Sequence, residues 1–356
     1  MSVPTARHGS PRRLPFMIAL ATLIGLVSAV VLVVGPAAGA PESAITGSVL
    51  IAFAFGWACL AGLTIRFTSQ PQRWALVPAA SMAVVGLGLI ATAPGSDAID
   101  TLGWLWPPAL LVLVAWTARG LRSQLAGRSR WLVHPLLAVL ALSSVGGAVE
   151  TIAEQAQRGT LTATGQLVDI GGRRMHIDCA GSGSPTVVLQ SGAGEASYYW
   201  ARIEPAVAAT TRVCVYDRAG HGGSDASSTP QDGSAIAADL HALLAASGNA
   251  GPYVLVGHST GGPFIQVFAA MFPTETAGMV FLDAQPAEAF TALPDYSGMY
   301  PALAMVSAIV QPLARMGVMR LANGAAFEDL PEPARAAQQA YRSSGRAASA
   351  LRDDLA

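Results

Sequence analysis

The sequence predicts a multi-span α-helical membrane region followed by an α/β domain with a mostly parallel sheet. Three observations lead there. Hydrophobic residues make up 52 % of the 356 residues and charged residues only 12 %. The mean hydropathy is +0.45, too apolar for one soluble globule. The charge also divides: residues 1–149 hold nine Arg and three acids, and residues 150–356 hold twelve Arg and nineteen acids. Finally, short β-rich runs alternate with helical patterns after residue 163, as in a βαβ domain. The expected organisation is a cytoplasmic N-terminus over 1–13, five spans over 14–149, a linker over 150–162, an α/β core over 163–286 and a helical cap over 287–356.

The spans come first. A helix needs about 20 apolar residues to cross a bilayer. Stretches near 14–34, 44–65, 74–93, 102–118 and 131–149 meet or approach that length, with no interior Asp, Glu or Arg. Pro107-Pro108 would kink the fourth. Arg counts in the flanking segments run three, zero, two, zero and four. That alternation places the N-terminus in the cytoplasm by the positive-inside rule. An odd number of spans then places everything after 150 outside. Trp57, Trp74, Trp104, Trp106, Trp116 and Trp131 fall mostly near span ends, as interfacial anchors do. His134 reads as a headgroup-level residue. With no buried acid or Arg, nothing in this half resembles an ion pathway.

The second half reads as strands and turns. "GQLVDI" and "RRMHIDCAG" flank Gly171-Gly172, a hairpin signal. "PTVVLQSGAG" is a buried strand entering a Gly-rich loop, and "TRVCVYDRAGHGGSD" is another strand and loop. A helix over 234–247, the strand "YVLVGHS", a helix over 260–272 and the strand "GMVFLDAQP" follow. "GHSTG" sets Ser259 between Gly257 and Gly261, with a strand before and an apolar helix after. GxSxG alone is a weak signal. In that context it marks a turn so sharp that flanking side chains would collide.

From about 160 to 300 these motifs together resemble the α/β-hydrolase family: "QSGAG" after the third strand, "YDRAGHGGSD" after the fourth, "GHSTG" after the fifth and "FLDAQP" ending the sixth. The resemblance implies roles. Ser259 would be the nucleophile, and the N–H groups of Thr260 and Ala193 the oxyanion hole. Asp283, after the sixth strand, is a weak candidate for the triad acid. The family often has His-Gly where this chain has Ser191-Gly192, a change that keeps the backbone donor. His221, His258, Asp217 and Arg218 read as structural. Cys179 and Cys214 fall on strands that the family's sheet order makes neighbours, so a disulfide is expected in an oxidising compartment. Cys59 lies in a span.

The base is the difficulty. The family's triad runs Ser, acid, His. All six histidines here (8, 134, 176, 221, 241 and 258) precede Ser259, and none occurs in the following 97 residues. Six strands are legible where the family usually has eight, so the sheet is expected to be incomplete at its C-terminal edge. Two explanations stand. Either the chain is a C-terminally truncated hydrolase, or it keeps the fold without the full chemistry. The expected function is esterase- or lipase-like acyl hydrolysis of a small neutral or lipophilic substrate on a membrane-anchored, extracytoplasmic domain. The alternative is a non-catalytic binding module on the same anchor. No cofactor or metal is expected, since ligand spacing is absent and "GSGSPT" lacks the Lys of a phosphate loop. The net charge of −1 gives no reason to expect nucleic acid.

Overall fold

The computed structural model describes residues 13–124, 131–162, 164–227, 229, 231–285 and 296–354. It divides into two compact units, Met1–Val149 and Glu150–Ala356.

The first unit is helical: α1 (Leu14–Val34), α2 (Glu42–Phe67), α3 (Leu76–Thr92), α4 (Ser96–Leu102), α5 (Trp106–Gln124) and the start of α6 (His134–Gln157). Among the described residues four helices are long and apolar enough to cross a membrane, or five if the pair α4 and α5, bent by 44°, forms one span. The break falls at residues 103–105, and Pro107-Pro108 occupy the first turn of α5, where a missing N–H costs nothing. Small residues set the helix contacts. A Cβ on Gly56 of α2 would lie 3.0 Å from the Gly25 Cα of α1, and a Cβ on Gly47 would lie 2.7 Å from the Gly86 carbonyl oxygen of α3. The glycines thus let the backbones of neighbouring helices approach closely. Two tryptophans depart from the interfacial expectation. Trp57 and Trp74 are each 5 % exposed, and their rings meet edge to face at 5.8 Å. The Trp74 indole finds a polar partner inside, donating to Gln72 Oε1 at 2.7 Å.

The helix α6 does not stop near residue 149. It continues to Gln157 through the stretch expected as a linker. From Ala148 to Gln157 the chain has neither Gly nor Pro, and Ala, Glu and Gln are strong helix formers.

Among its described residues the second unit carries six strands: β1 (Gln166–Asp169), β2 (Arg174–Ala180), β3 (Thr186–Gln190), β4 (Val213–Tyr216), β5 (Tyr253–His258) and β6 (Thr276–Leu282). Their order is β1-β2-β4-β3-β5-β6. The hairpin β1/β2 and the β2/β4 pair are antiparallel, and β4, β3, β5 and β6 run parallel. Gly171 and Gly172 take φ of +100° and +113° in the hairpin turn, and Asp169 Oδ1 accepts both their N–H groups. Three helices pack on this sheet: α7 (Glu204–Ala208), α8 (Gly233–Ala246) and α9 (Gly261–Met271). Leu240, Leu243, Leu244, Ile265 and Phe268 meet Ile177, Cys214 and Leu255 in its main core.

Cys179 and Cys214 stand opposite each other in the β2/β4 register and form a disulfide with Cα atoms 4.1 Å apart. Among the described residues β6 has no outer partner strand, and its Met279, Val280 and Phe281 are exposed. Residues 287–295 and 355–356 of the expected cap, and residue 286 of the expected core, lie outside the described residues. The remainder is helical: α10 (Tyr296–Arg315), α11 (Val318–Asn323), α12 (Ala334–Ser343) and α13 (Gly345–Asp354). Gly317 adopts φ +75° between α10 and α11, and extended Ser344 separates α12 from α13.

Candidate active site

The site forms where β5 turns into α9. Ser259 sits at that turn with φ +52°, a left-handed conformation that a non-glycine residue holds only where its surroundings enforce it. The enforcement is backbone packing. A Cβ on Gly257 would lie 2.7 Å from the Gly261 carbonyl oxygen. One on Gly261 would lie 2.6 Å from the Gln190 carbonyl oxygen and 3.0 Å from that of Ser191. The nearest atom at both places is backbone, which cannot swing aside as a side chain can. The Ser259 side chain is half-buried, and the loop after β3 leans on it: a Cβ on Gly192 would come within 3.0 Å of the Ser259 Cβ. Residues 282–285 complete the turn. The Ser259 N–H donates to Leu282 O at 3.4 Å, and the Ser259 carbonyl accepts from Gln285 N–H at 3.0 Å.

Ala193 lies in this loop and Thr260 follows Ser259. Among the described residues neither N–H has a hydrogen-bond acceptor. Asp283, the candidate acid, is exposed and has φ +44° at the end of β6. Each described imidazole of this unit is engaged elsewhere than on Ser259. His258 Nδ1 lies 3.0 Å from Glu195 Oε2, and that oxygen also accepts the Gly192 N–H at 2.8 Å. His241 Nε2 lies 3.0 Å from Glu275 Oε1. His221 Nδ1 faces the Ala219 carbonyl at 3.1 Å and its Nε2 faces Asp354 Oδ2 at 2.9 Å.

His176 has an acceptor at each ring nitrogen, Asp217 Oδ2 at 2.9 Å and the Thr164 carbonyl at 2.8 Å. Two acceptors require two ring protons, so this is an imidazolium. Burial pulls its pKa down, but the Asp217 carboxylate outweighs burial and the net shift is upward. Burial would push the fully enclosed Asp217 up. His176 and the N–H groups of Ser197 and Gly223 prevail, and it lies below the ordinary carboxylate range.

Arg218 is buried beneath the loop that follows β3. Nη1 donates to Ser191 O at 2.6 Å and Nη2 to Gly192 O at 2.9 Å, with the guanidinium 5.3 Å from the Phe264 ring centroid. Nη2 also donates to Asp354 Oδ2 at 2.8 Å. Asp354 accepts the Gly194 N–H at 2.7 Å as well. Burial alone would raise this carboxyl, yet Arg218 and His221 hold it down to about 2. Sequence reasoning missed Glu195 and Asp354. "GAGE" put an acid at the end of a Gly-rich loop, which was a usable signal for the first. Asp354 meets Gly194 across 160 residues, and no local pattern announces that. Among the described residues no group of three His, Cys, Asp or Glu side chains is placed to hold a metal ion.

Known proteins bear on this arrangement. The sequence model for the "alpha/beta hydrolase fold" family matches residues 185–308. An uncharacterized protein of Schizosaccharomyces pombe is 31 % identical over 224 residues, covering 54 % of this chain and 39 % of that protein. The uncharacterized protein YbdG of Bacillus subtilis is 31 % identical over 125 residues, covering 35 % and 38 %. The chain thus spans under two fifths of the length of either relative. Among solved structures, the epoxide hydrolase CorEH is similar at 23 % identity and a TM-score of 0.41, covering 54 % of this chain and 73 % of that one. Family match, strand order and the sharp turn from β5 through Ser259 into α9 agree with one another: the second unit has the α/β-hydrolase fold, and residues 185–308 match that family.

Proposed function

We propose that this protein is a membrane-anchored serine hydrolase whose catalytic unit faces the extracytoplasmic side and cleaves a neutral or lipophilic ester. Ser259 Oγ attacks the ester carbonyl carbon, and the carbonyl oxygen becomes an oxyanion between the Ala193 and Thr260 N–H groups. The alcohol departs with a proton, leaving an acyl-Ser259 ester. Water then attacks that ester, releasing the acid and regenerating the hydroxyl. Removing one donor of such a pair typically costs about 3 kcal/mol of transition-state stabilisation. The observation that carries the proposal is the enforced φ of +52° at Ser259 beside two N–H groups without acceptors. The Arg alternation along the spans and the Cys179–Cys214 disulfide support the extracytoplasmic placement.

A second reading rests on a different observation. Every described imidazole of the C-terminal unit is bonded away from Ser259, and a serine hydroxyl is a weak nucleophile without a base. On that reading the unit binds a ligand or partner without turning it over. A fluorophosphonate probe separates the two on the full chain in detergent. Labelling that disappears in Ser259→Ala supports the hydrolase; a folded protein that resists the probe supports the binding module.

A further inference from the structure

The loop after β3 carries a carboxylate as well as an open amide. Glu195 and Ser259 come together because Gly192 has no side chain to stand between them. A Cβ there would lie 3.0 Å from Glu195 Oε2 and 3.0 Å from the Ser259 Cβ, with the His258 carbonyl oxygen at 3.3 Å. Two atoms each 3.0 Å from one point are at most about 6 Å apart, so the carboxylate oxygen stands within that distance of the Ser259 Cβ. Two O–H···O bonds through one water span about 5.5 Å, and the Cβ–Oγ bond extends that reach. A single water can therefore join Glu195 to the Ser259 hydroxyl.

The way the carboxylate is held leaves it able to take a proton. Oε2 accepts the Gly192 N–H at 2.8 Å and faces His258 Nδ1 at 3.0 Å. A carboxylate acceptor fixes a proton of His258 on Nδ1. The His258 ring is set edge to face against Trp200, centroids 6.5 Å apart, and the Trp200 indole N–H donates to Ser191 Oγ at 2.9 Å. Both contacts of the carboxylate fall on Oε2. Among the described residues Oε1 has no partner, and a carboxylate has room for about four donors. The Glu195 side chain is 17 % exposed, so water reaches it without surrounding it.

We propose that Glu195 is the general base of the Ser259 site, acting through one water. In acylation the Ser259 hydroxyl gives its proton to the bridging water, which gives one to Glu195, as Oγ bonds to the ester carbonyl carbon. The bond from that carbon to the alcohol oxygen breaks, and the alcohol leaves with the proton Glu195 held. In deacylation a water takes the same place. Its oxygen bonds to the acyl carbon and its proton passes to Glu195. The bond from the acyl carbon to Oγ then breaks, and Glu195 returns the proton to Oγ. The inference rests on the hydrolase reading and supplies the proton acceptor which that reading needs.

The test is the rate at which a fluorophosphonate labels Ser259 in the full chain in detergent. Glu195→Gln keeps an oxygen for the Gly192 N–H and for His258 but cannot take a proton. General bases contribute about 10²–10⁴-fold, so labelling should slow by at least about 100-fold with the urea midpoint unchanged. A Glu195→Gln protein labelled within about threefold of wild type overturns the proposal, because Glu195 then only holds the loop. Should that variant be less stable than wild type, Glu195→Ala decides by rescue. Formate and nitrate are planar anions of similar size that can both accept the Gly192 N–H, and only formate is appreciably basic. Formate should speed labelling of Glu195→Ala by at least about tenfold and nitrate should not. Equal rescue by the two anions, or none by formate, overturns the proposal. A wild-type chain whose Ser259 resists the probe refutes the hydrolase reading itself, a result separate from that of either variant.

Discussion

Two glycine-to-alanine substitutions in the sheet, Gly257→Ala and Gly278→Ala, should move stability in opposite directions. At 257 the new methyl would stand 2.7 to 2.8 Å from the Gly261 carbonyl oxygen, the Gly261 carbonyl carbon and the Gly262 nitrogen. All are backbone atoms of the turn, so β5 and α9 must separate to admit it. Overpacking of that kind costs about 1–3 kcal/mol. At 278, on the neighbouring strand, nothing lies within 4 Å of the added methyl, and φ is not in the left-handed region. Alanine there should stabilise by about 0.5–1 kcal/mol, because the unfolded chain loses freedom that glycine would keep. The two variants should differ by about 1.5–4 kcal/mol. Pulse proteolysis of the full chain in detergent across a urea series measures that difference. Equal midpoints for the two variants would show that the turn relaxes at no cost. The strain argument at Ser259, and the functional reading built on it, would then fall.

Further outcomes follow from the same contacts. Replacing Cys179 and Cys214 together by Ala should cost about 3–4 kcal/mol, from the loop set by a separation of 35 residues; a thiol count of the native protein after denaturation without reductant should find Cys59 alone. Asp354 has a folded pKa of about 2, below its unfolded value, so its contribution is present above the ordinary carboxylate pKa and lost as pH falls toward 2. The gap in urea midpoint between wild type and Asp354→Asn should therefore be full at pH 5 and close on the way to pH 2, by about 2 kcal/mol in all; a gap that does not change with pH contradicts the assignment. Arg320→Ala leaves the Glu150 carboxylate, 2 % exposed, without the guanidinium that donates to both its oxygens and should destabilise the cap by about 3 kcal/mol, read as faster limited proteolysis between 315 and 334. Glu195→Ala releases the Gly192 N–H and should slow fluorophosphonate labelling of Ser259 by at least about tenfold without changing the fold seen by circular dichroism.

The parts of the fold legible in the sequence are those that local patterns dictate. β-branched runs such as Val187-Val188 and Val213 to Val215, bounded by glycine-rich loops, can be little else than buried strands. The turn at Ser259 was visible because backbone collisions leave only glycine at 257 and 261. The helix continuing through 150–157 was hidden, since a change in composition was read as a break in structure. Its acids face Arg315 and Arg320 across more than 150 residues, and such pairs have no signature in the local text. The split at Ser344 was equally obscure: the strongly helical alanine and arginine pattern on both sides masks one extended residue. The burial of Trp57 and Trp74 shows the same limit. An aromatic near a span end satisfies an interfacial pattern and a packing role alike, and only tertiary contact decides between them.

Several charged side chains of the C-terminal unit share a destination. Asp217 takes the Ser197 N–H. Arg218 takes the Ser191 and Gly192 carbonyls. Glu195 takes the Gly192 N–H, Asp354 the Gly194 N–H and Arg342 the Gly194 carbonyl at 3.1 Å. Side chains from several separate elements thus hold one short loop by its backbone on both sides of Ala193. Charge-assisted bonds in a desolvated setting are stronger than neutral ones, so the loop is fixed before any ligand arrives. Within it the Ala193 N–H is left without an acceptor. A donor kept open at the centre of so firmly held a loop is what the proposed stabilisation of a developing negative charge on substrate requires.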